Sequence, residues 1–320
     1  MTIEDFTEAL KKEMQSIAGK NCRVTIHYVQ KNNIGQVPSL NILEKGVPVS
    51  PNFYLKDLYE EFQGKGLSIA ELAKKLVRIH YENIAYPGQE IAAQFQKVVN
   101  VRSRLFFRLI HYERNRELLE RIPHIKVLDM ALVYYMLVYD DHEGVGSIRM
   151  DDTVFQYFGW DAEELYQEVL ANTERLFPER DTTFSKLVEE MADAAIREAG
   201  ISEKDLPDSF WKEKYPIVIT NTGGINGAAV IVYPGLLQKI AKQAGYNLFI
   251  LPSSIHECLA LPDNGEFFLE NLEEMVAAVN QESVSPEEFL SDHVYYYNAD
   301  SDRLLIAGAD ALPEKEGGNE

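Results

Sequence analysis

The spacing of apolar residues in this chain changes period repeatedly, and that limits the possible folds more than any other feature. Stretches with every second residue apolar give way to stretches where apolar residues recur every third or fourth position. The first pattern belongs to a strand with one buried face, the second to a helix with one buried stripe. Cys22 to Val29 puts Val24, Ile26 and Tyr28 on one side, and Val37 to Leu43 follows, with Pro38 marking an edge strand. Ahead of them, Ile3, Phe6, Leu10, Met14 and Ile17 predict a helix that stops at Gly19. Helices are expected over 54–62 and 68–83, the second opened by a Ser68–Glu71 capping box.

The same rhythm continues downstream. A helix is expected near 89–98, and Leu105 to Tyr112 reads as either strand or helix. A helix from Arg114 to Arg121 stops before Pro123. Leu128 to Tyr139 and Gly146 to Met150 predict a hairpin, followed by helices at 152–158, 162–172 (capped by Asp161) and 184–199. Pro216 to Thr220 and Ala228 to Tyr233 read as strands joined by a loop holding Gly223, Gly224 and Gly227. A helix from Pro234 to Gly245 leads to a hairpin of Asn247 to Leu251 and His256 to Leu261. A helix over 268–280, a short one opened by Ser285-Pro286, and a hairpin of His293 to Tyr297 with Arg303 to Ile306 close the series. Hairpins backed by helices predict an α+β fold with antiparallel sheets and helices packed on one face. The charged stretch 200–214 around Pro207 divides it into an N-terminal region, 1–200, and a C-terminal region, 201–309, with a flexible tail over 310–320.

Charge narrows the classes of partner. The net charge of −20 repels phosphate backbones and anionic lipid surfaces, which argues against nucleic acid and membrane as partners. The longest apolar run, Met130 to Tyr139, is half the roughly 20 residues of a spanning helix. Two cysteines far apart, Cys22 and Cys258, read as free thiols of a cytoplasmic protein.

Several clusters carry chemistry-bearing side chains. In Leu251-Pro252-Ser253-Ser254-Ile255-His256-Glu257-Cys258, a strand from His256 would turn Ser254, His256 and Cys258 to one face. A hydroxyl beside an imidazole is the raw material of nucleophilic catalysis, so Ser254 and His256 form a candidate hydrolase centre, with Glu257 or Asp292 orienting the ring. The bland reading gives the serines to a tight turn and the histidine to a carboxylate. His256, Glu257, Asp292 and His293 are metal-ligand types, but adjacent residues on a strand face opposite ways and no H-E-x-x-H spacing occurs. The glycine loop lacks the Lys-Ser/Thr of a phosphate-binding loop, so neither metal nor cofactor is expected. The basic stretch 102–126, with Arg104, Arg108 and Arg114 among aromatic residues, suits a protein partner, internal pairing or an RNA strand. The run Tyr295-Tyr296-Tyr297 is a second candidate contact surface, since Tyr and Arg are favoured at interfaces. The leading expectation is a non-enzymatic protein that binds a partner.

Three strings carry a resemblance: GAAVIVYPGLLQKIA, YNLFILPSSIHECLALPD and VSPEEFLSDHVYYY. Together with RLIHYERNRELLERIPHIKVLDMALVYYML and the first helix, they resemble an uncharacterised domain-of-unknown-function family of gut Gram-positive bacteria. The resemblance spans nearly the whole chain and implies a bacterial cytoplasmic setting. It supplies no activity, cofactor or catalytic residue.

Overall fold

The computed structural model describes residues 1–45, 50–83, 101–141, 144–183 and 216–308. The chain is α+β, and its described strands form three antiparallel sheets of three, six and four strands. It groups into two compact units: residues 1–101 with 138–145, and residues 102–137 with 146–320.

The first unit opens with α1 (Ile3–Ala18), whose capping box pairs Thr2 with Asp5. Phe6, Leu10, Met14 and Ala18 recur every fourth residue and are buried. Full burial of side chains like Phe6, Leu10 and Met14 is worth about 1.5–3 kcal/mol each. They pack in one core with Val24 of β1 (Cys22–Lys31) and with Leu40 and Ile42 of β2 (Gly35–Glu44). The two strands pair from Cys22↔Glu44 to Lys31↔Gly35. Of the three residues expected on one face, Val24 is buried and Ile26 partly so, while Tyr28 is exposed because the hairpin outruns the core. A two-residue strand, β3 (Phe53–Tyr54), adds to β2. Two helices complete this unit: α2 (Leu55–Lys65), and α3 (Ile69–Asn83), which the Ser68–Glu71 box opens as expected.

In the second unit, β4 (Leu105–His111) settles an ambiguous stretch as strand. A one-turn helix, α4 (Arg116–Leu119), replaces the longer one expected from Arg114. Then come β5 (His124–Val127), β6 (Met130–Asp141) and β7 (Gly144–Arg149), of which residues 138–141 and 144–145 belong to the first unit. Both β4 and β5 pair with the start of β6, and β7 pairs with it too. Val127 faces Met130, so Leu128 and Asp129 make a two-residue turn, with Leu128 at φ 56. Two helices follow, α5 (Asp152–Phe158) and α6 (Ala162–Leu176), the latter capped by Asp161 as predicted.

The six-stranded sheet runs β13-β12-β10-β11-β9-β8. Its members are β8 (Glu179–Thr183), β9 (Ile217–Asn221), β10 (Leu248–Pro252), β11 (Cys258–Pro262), β12 (Tyr295–Asn298) and β13 (Arg303–Ile306). Helix α7 (Leu236–Ala244) precedes β10, and α8 (Leu269–Glu282) lies between β11 and β12 in the chain. On one face Phe249, Leu251, Leu261 and Tyr296 pack with Leu272 and Val276 of α8. The alternate residues Leu248, Ile250, Cys258 and Ala260 are wholly buried as well, so both faces of the sheet are covered.

Several expected elements differ. Ala228 to Tyr233 is not a strand: Gly227–Val232 forms a 3-10 segment. Strand β9 already has β11 and β8 on its two sides, leaving no edge for it. The strand expected from His256 begins at Cys258, so Ser254 and His256 sit in the β10–β11 loop and the shared-face argument lapses. Ser285 opens a turn rather than a helix. The expected helices at 89–98 and 184–199, and the 200–214 boundary, lie outside the described residues. Because β8 pairs with β9, the sheet joins chain on both sides of that boundary.

Candidate functional site

The β10–β11 loop holds the sequence-predicted centre. The Ser254 hydroxyl accepts the backbone N–H of His256 at 3.0 Å, a local turn bond rather than a contact with the ring. The ring itself is fixed at both nitrogens. Nδ1 accepts the Asn226 N–H at 3.1 Å, and Nε2 lies 3.4 Å from Glu288 Oε1. An imidazole whose Nδ1 accepts a backbone donor carries its proton on Nε2, so neutral His256 donates to Glu288 and has no lone pair left for Ser254. Glu257 sits beside Ser253, with Oε1 3.4 Å from that hydroxyl, and its carbonyl accepts the Ser253 and Ser254 N–H groups. Asp292 is held by Asn280 at 2.9 Å and lies 4.0 Å from Arg114. The structure therefore brings Ser254, His256 and Glu257 into one loop and gives the ring Glu288, not Asp292, as its carboxylate.

The glycine loop braces this arrangement. Thr220 Oγ1 donates to the His256 carbonyl at 2.8 Å, and the Ala228 N–H to the Ile255 carbonyl at 3.1 Å. A Cβ on Gly227 would lie 2.6 Å from the His256 carbonyl oxygen, so glycine is required by close approach.

A second cluster was not visible in the sequence. The Asp129 side chain, 14% exposed, accepts the Ser291 hydroxyl and the Tyr295 hydroxyl at 2.6 Å each and lies 3.0 Å from His293 Nδ1. Burial by itself would raise this carboxyl. The hydrogen bonds from Ser291, Tyr295 and His293, with the nearby histidine charge, outweigh it and hold the group below the ordinary aspartate range. His111 lies close by, and burial pushes its imidazole down despite the pull of Asp129. His293 is 54% exposed, and its Nε2 has no partner among the described residues. One signal was available: Ser291, His293 and Tyr295 alternate, which puts three polar groups on one side of an extended segment.

The expected contact residues have diverse fates. Tyr295, Tyr296 and Tyr297 are buried core residues whose hydroxyls donate to Asp129, Asp263 and Asp302, so the run offers no surface. Burial and then the Asp263 bond push Tyr296 up to about 12. Arg108 is mostly buried, lies 4.3 Å from the Tyr135 ring centroid and donates to Ser147. Arg114 sits 3.3 Å over Phe289. Arg104 is exposed and donates to the Leu137 carbonyl. Arg102 pairs with Glu168, and Arg116 lies 3.8 Å from Glu113. These partners distribute the basic stretch among carboxylates, rings and backbone. Among the described residues no three His, Cys, Asp or Glu side chains converge as metal ligands, and no helix is long and apolar enough to cross a membrane.

A cleft of about 830 Å³ opens elsewhere in the second unit. Helix α7 supplies Gln238, Lys239 and Lys242, and the following turn Tyr246 and Asn247. The end of β11 and the β12–β13 turn supply Asp263, Ala299 and Asp300. Asn247 ties these walls together. Its side chain donates to the Tyr296 hydroxyl at 3.0 Å and accepts the Ala299 N–H at 2.9 Å, while its carbonyl accepts the Asp263 N–H at 2.8 Å.

The model of a family of unknown function, DUF5688, matches residues 3–299. The chain belongs to this family. The DUF5688 match thus takes in the chain as far as the end of β12, with the His256 loop and the Asp129 cluster. No curated protein and no solved structure matches the chain. What this DUF5688 chain does is therefore argued from its own geometry.

Proposed function

We propose that this chain is a non-enzymatic binding or regulatory protein that takes a polypeptide partner at the cleft beside α7. One observation carries the reading: the walls of that cleft are fixed to each other through Asn247, yet Lys242 and Asp300 face it without a side-chain partner among the described residues. Unpaired charge on a braced concave wall is what a binding site offers before its ligand arrives. Exposed Arg104 and Arg114 extend the contact reading to the basic stretch. Two unpaired, buried thiols support work in a reducing cytoplasm, and the bacterial setting implied by the resemblance belongs to the same reading. The test is backbone amide NMR of the labelled full chain against a peptide library. Shifts centred on Lys242, Tyr246 and Asp300 are expected. A library that leaves those amides unmoved overturns the reading.

A hydrolytic reading finds its support at His293 rather than at Ser254 and His256. A half-exposed imidazole oriented by a buried carboxylate, with Nε2 open, has the arrangement of a general base. A panel of chromogenic esters and phosphoesters decides: turnover lost in His293→Gln but kept in His256→Gln would support it, and no turnover by the wild-type chain removes it.

A further inference from the structure

Resting on the binding reading, we infer that the α7 cleft takes a free short peptide with both termini ionised. The argument begins with the charges. Lys239 and Lys242 stand three apart on α7 and so project from one side of that helix. Lys239 is partly neutralised by Glu179 at 3.7 Å, which leaves Lys242 as the stronger cation. Asp263 and Asp300 come from the strand side, at the end of β11 and in the β12–β13 turn. Asp263 spends one carboxylate oxygen on the Tyr296 hydroxyl at 2.8 Å, which orients the group and leaves the other oxygen for a ligand.

A ligand carrying one charge would answer one wall and leave the opposite charge without a counter-ion. A zwitterion satisfies both, its carboxylate toward Lys242 and its ammonium toward Asp263 and Asp300. The middle of the ligand meets a mixed surface, with Gln238 beside Ala241, Gly245 and Ala299. Tyr246 is half exposed at the rim and gives an amphipathic face against which a backbone or small side chain can lie. The volume, about 830 Å³, falls in the range of roughly 300–1,000 Å³ typical of small-ligand sites, which suits a short peptide. The cleft is open, so the free termini rather than enclosure carry the selectivity, and binding weakens with salt.

The experiment titrates the full chain with tri-alanine and, separately, with N-acetyl-tri-alanine amide, following backbone amide shifts and calorimetric heat. Tri-alanine is expected to shift Lys242, Tyr246 and Asp300, with affinity at least tenfold above the doubly capped form. Lys242→Glu and Asp300→Lys are each expected to weaken tri-alanine at least tenfold. The double variant, with both charges reversed, is expected to recover part of the loss, because a zwitterion can bind with its ends exchanged. Equal binding of capped and uncapped peptide overturns the zwitterion assignment while the binding reading stands. Silence of the cleft amides toward both peptides and toward the wider library overturns both.

Discussion

Gly227→Ala is the sharpest perturbation of the loop that holds His256. Gly227 is not in the left-handed region, so its backbone tolerates alanine. By conformational entropy alone the substitution would stabilise the chain by about 0.4–1 kcal/mol. The surroundings reverse the sign. A Cβ would stand 2.2 Å from Thr220 Oγ1, 2.6 Å from the His256 carbonyl oxygen and 2.7 Å from the Asn221 nitrogen, where ordinary contact begins at 3.4 Å. Two of those atoms are backbone, and the third can leave only by breaking its 2.8 Å bond to His256. Overpacking costs about 1–3 kcal/mol and the lost hydrogen bond about 1 more, so after the entropy gain the net expectation is a loss of about 1–3.5 kcal/mol. For a unit of this size that lowers Tm by roughly 2–14 °C. Differential scanning calorimetry reads it directly. Gly64→Ala in α2, where nothing lies within 4 Å, is the control and should raise the stability of its own unit slightly. A Gly227→Ala chain that melts at or above the wild-type temperature would refute the reasoning, because entropy would then have outweighed contact.

Asp129→Asn should cost about 2–3 kcal/mol in denaturant titration, since a neutral amide replaces charge-assisted bonds with weaker ones and turns its NH2 toward a group that had donated to the carboxylate. The Asp129 carboxyl titrates below its unfolded value, so its stabilisation is complete above about pH 4 and lost as pH falls through the lower folded value; Asp129→Asn should lack that acid limb. His80 is wholly buried with neither ring nitrogen bonded among the described residues, and burial, only partly opposed by Glu44, depresses its titration. The unfolded chain therefore takes up a proton first, and stability should fall as pH drops below about 6.5; His80→Phe should flatten that slope in melts run from pH 8 to 5. Cys22 and Cys258 are both buried, and burial pushes the Cys258 thiol up, so a disulfide reagent should label neither in the native chain and both in guanidinium. Rapid native labelling of Cys258 would contradict the packing of β11.

Local signals were legible and long-range ones were not. The α1 stripe, the Ser68–Glu71 box and the Asp161 cap depend on residues three or four apart, and each appears where the sequence puts it. Ala228 to Ile231 is apolar and buried without a period, and nothing in such a run separates a strand from a 3-10 turn until the neighbours of β9 are known. Ser254 and His256 looked like a reacting pair because they are two apart. At that spacing the hydroxyl prefers the nearby backbone N–H over the ring. Asp129 gathers its partners from 162 to 166 positions away, a distance that no pattern of spacing reaches.

The pairing of β8 with β9 makes Thr183 and Ile217 register partners on adjacent antiparallel strands. Backbones so paired stand about 5 Å apart, the gap a two-residue turn bridges. Ile217 is also the register partner of Ala260 on β11, so this one residue aligns the β8 edge with the strand that follows the His256 loop.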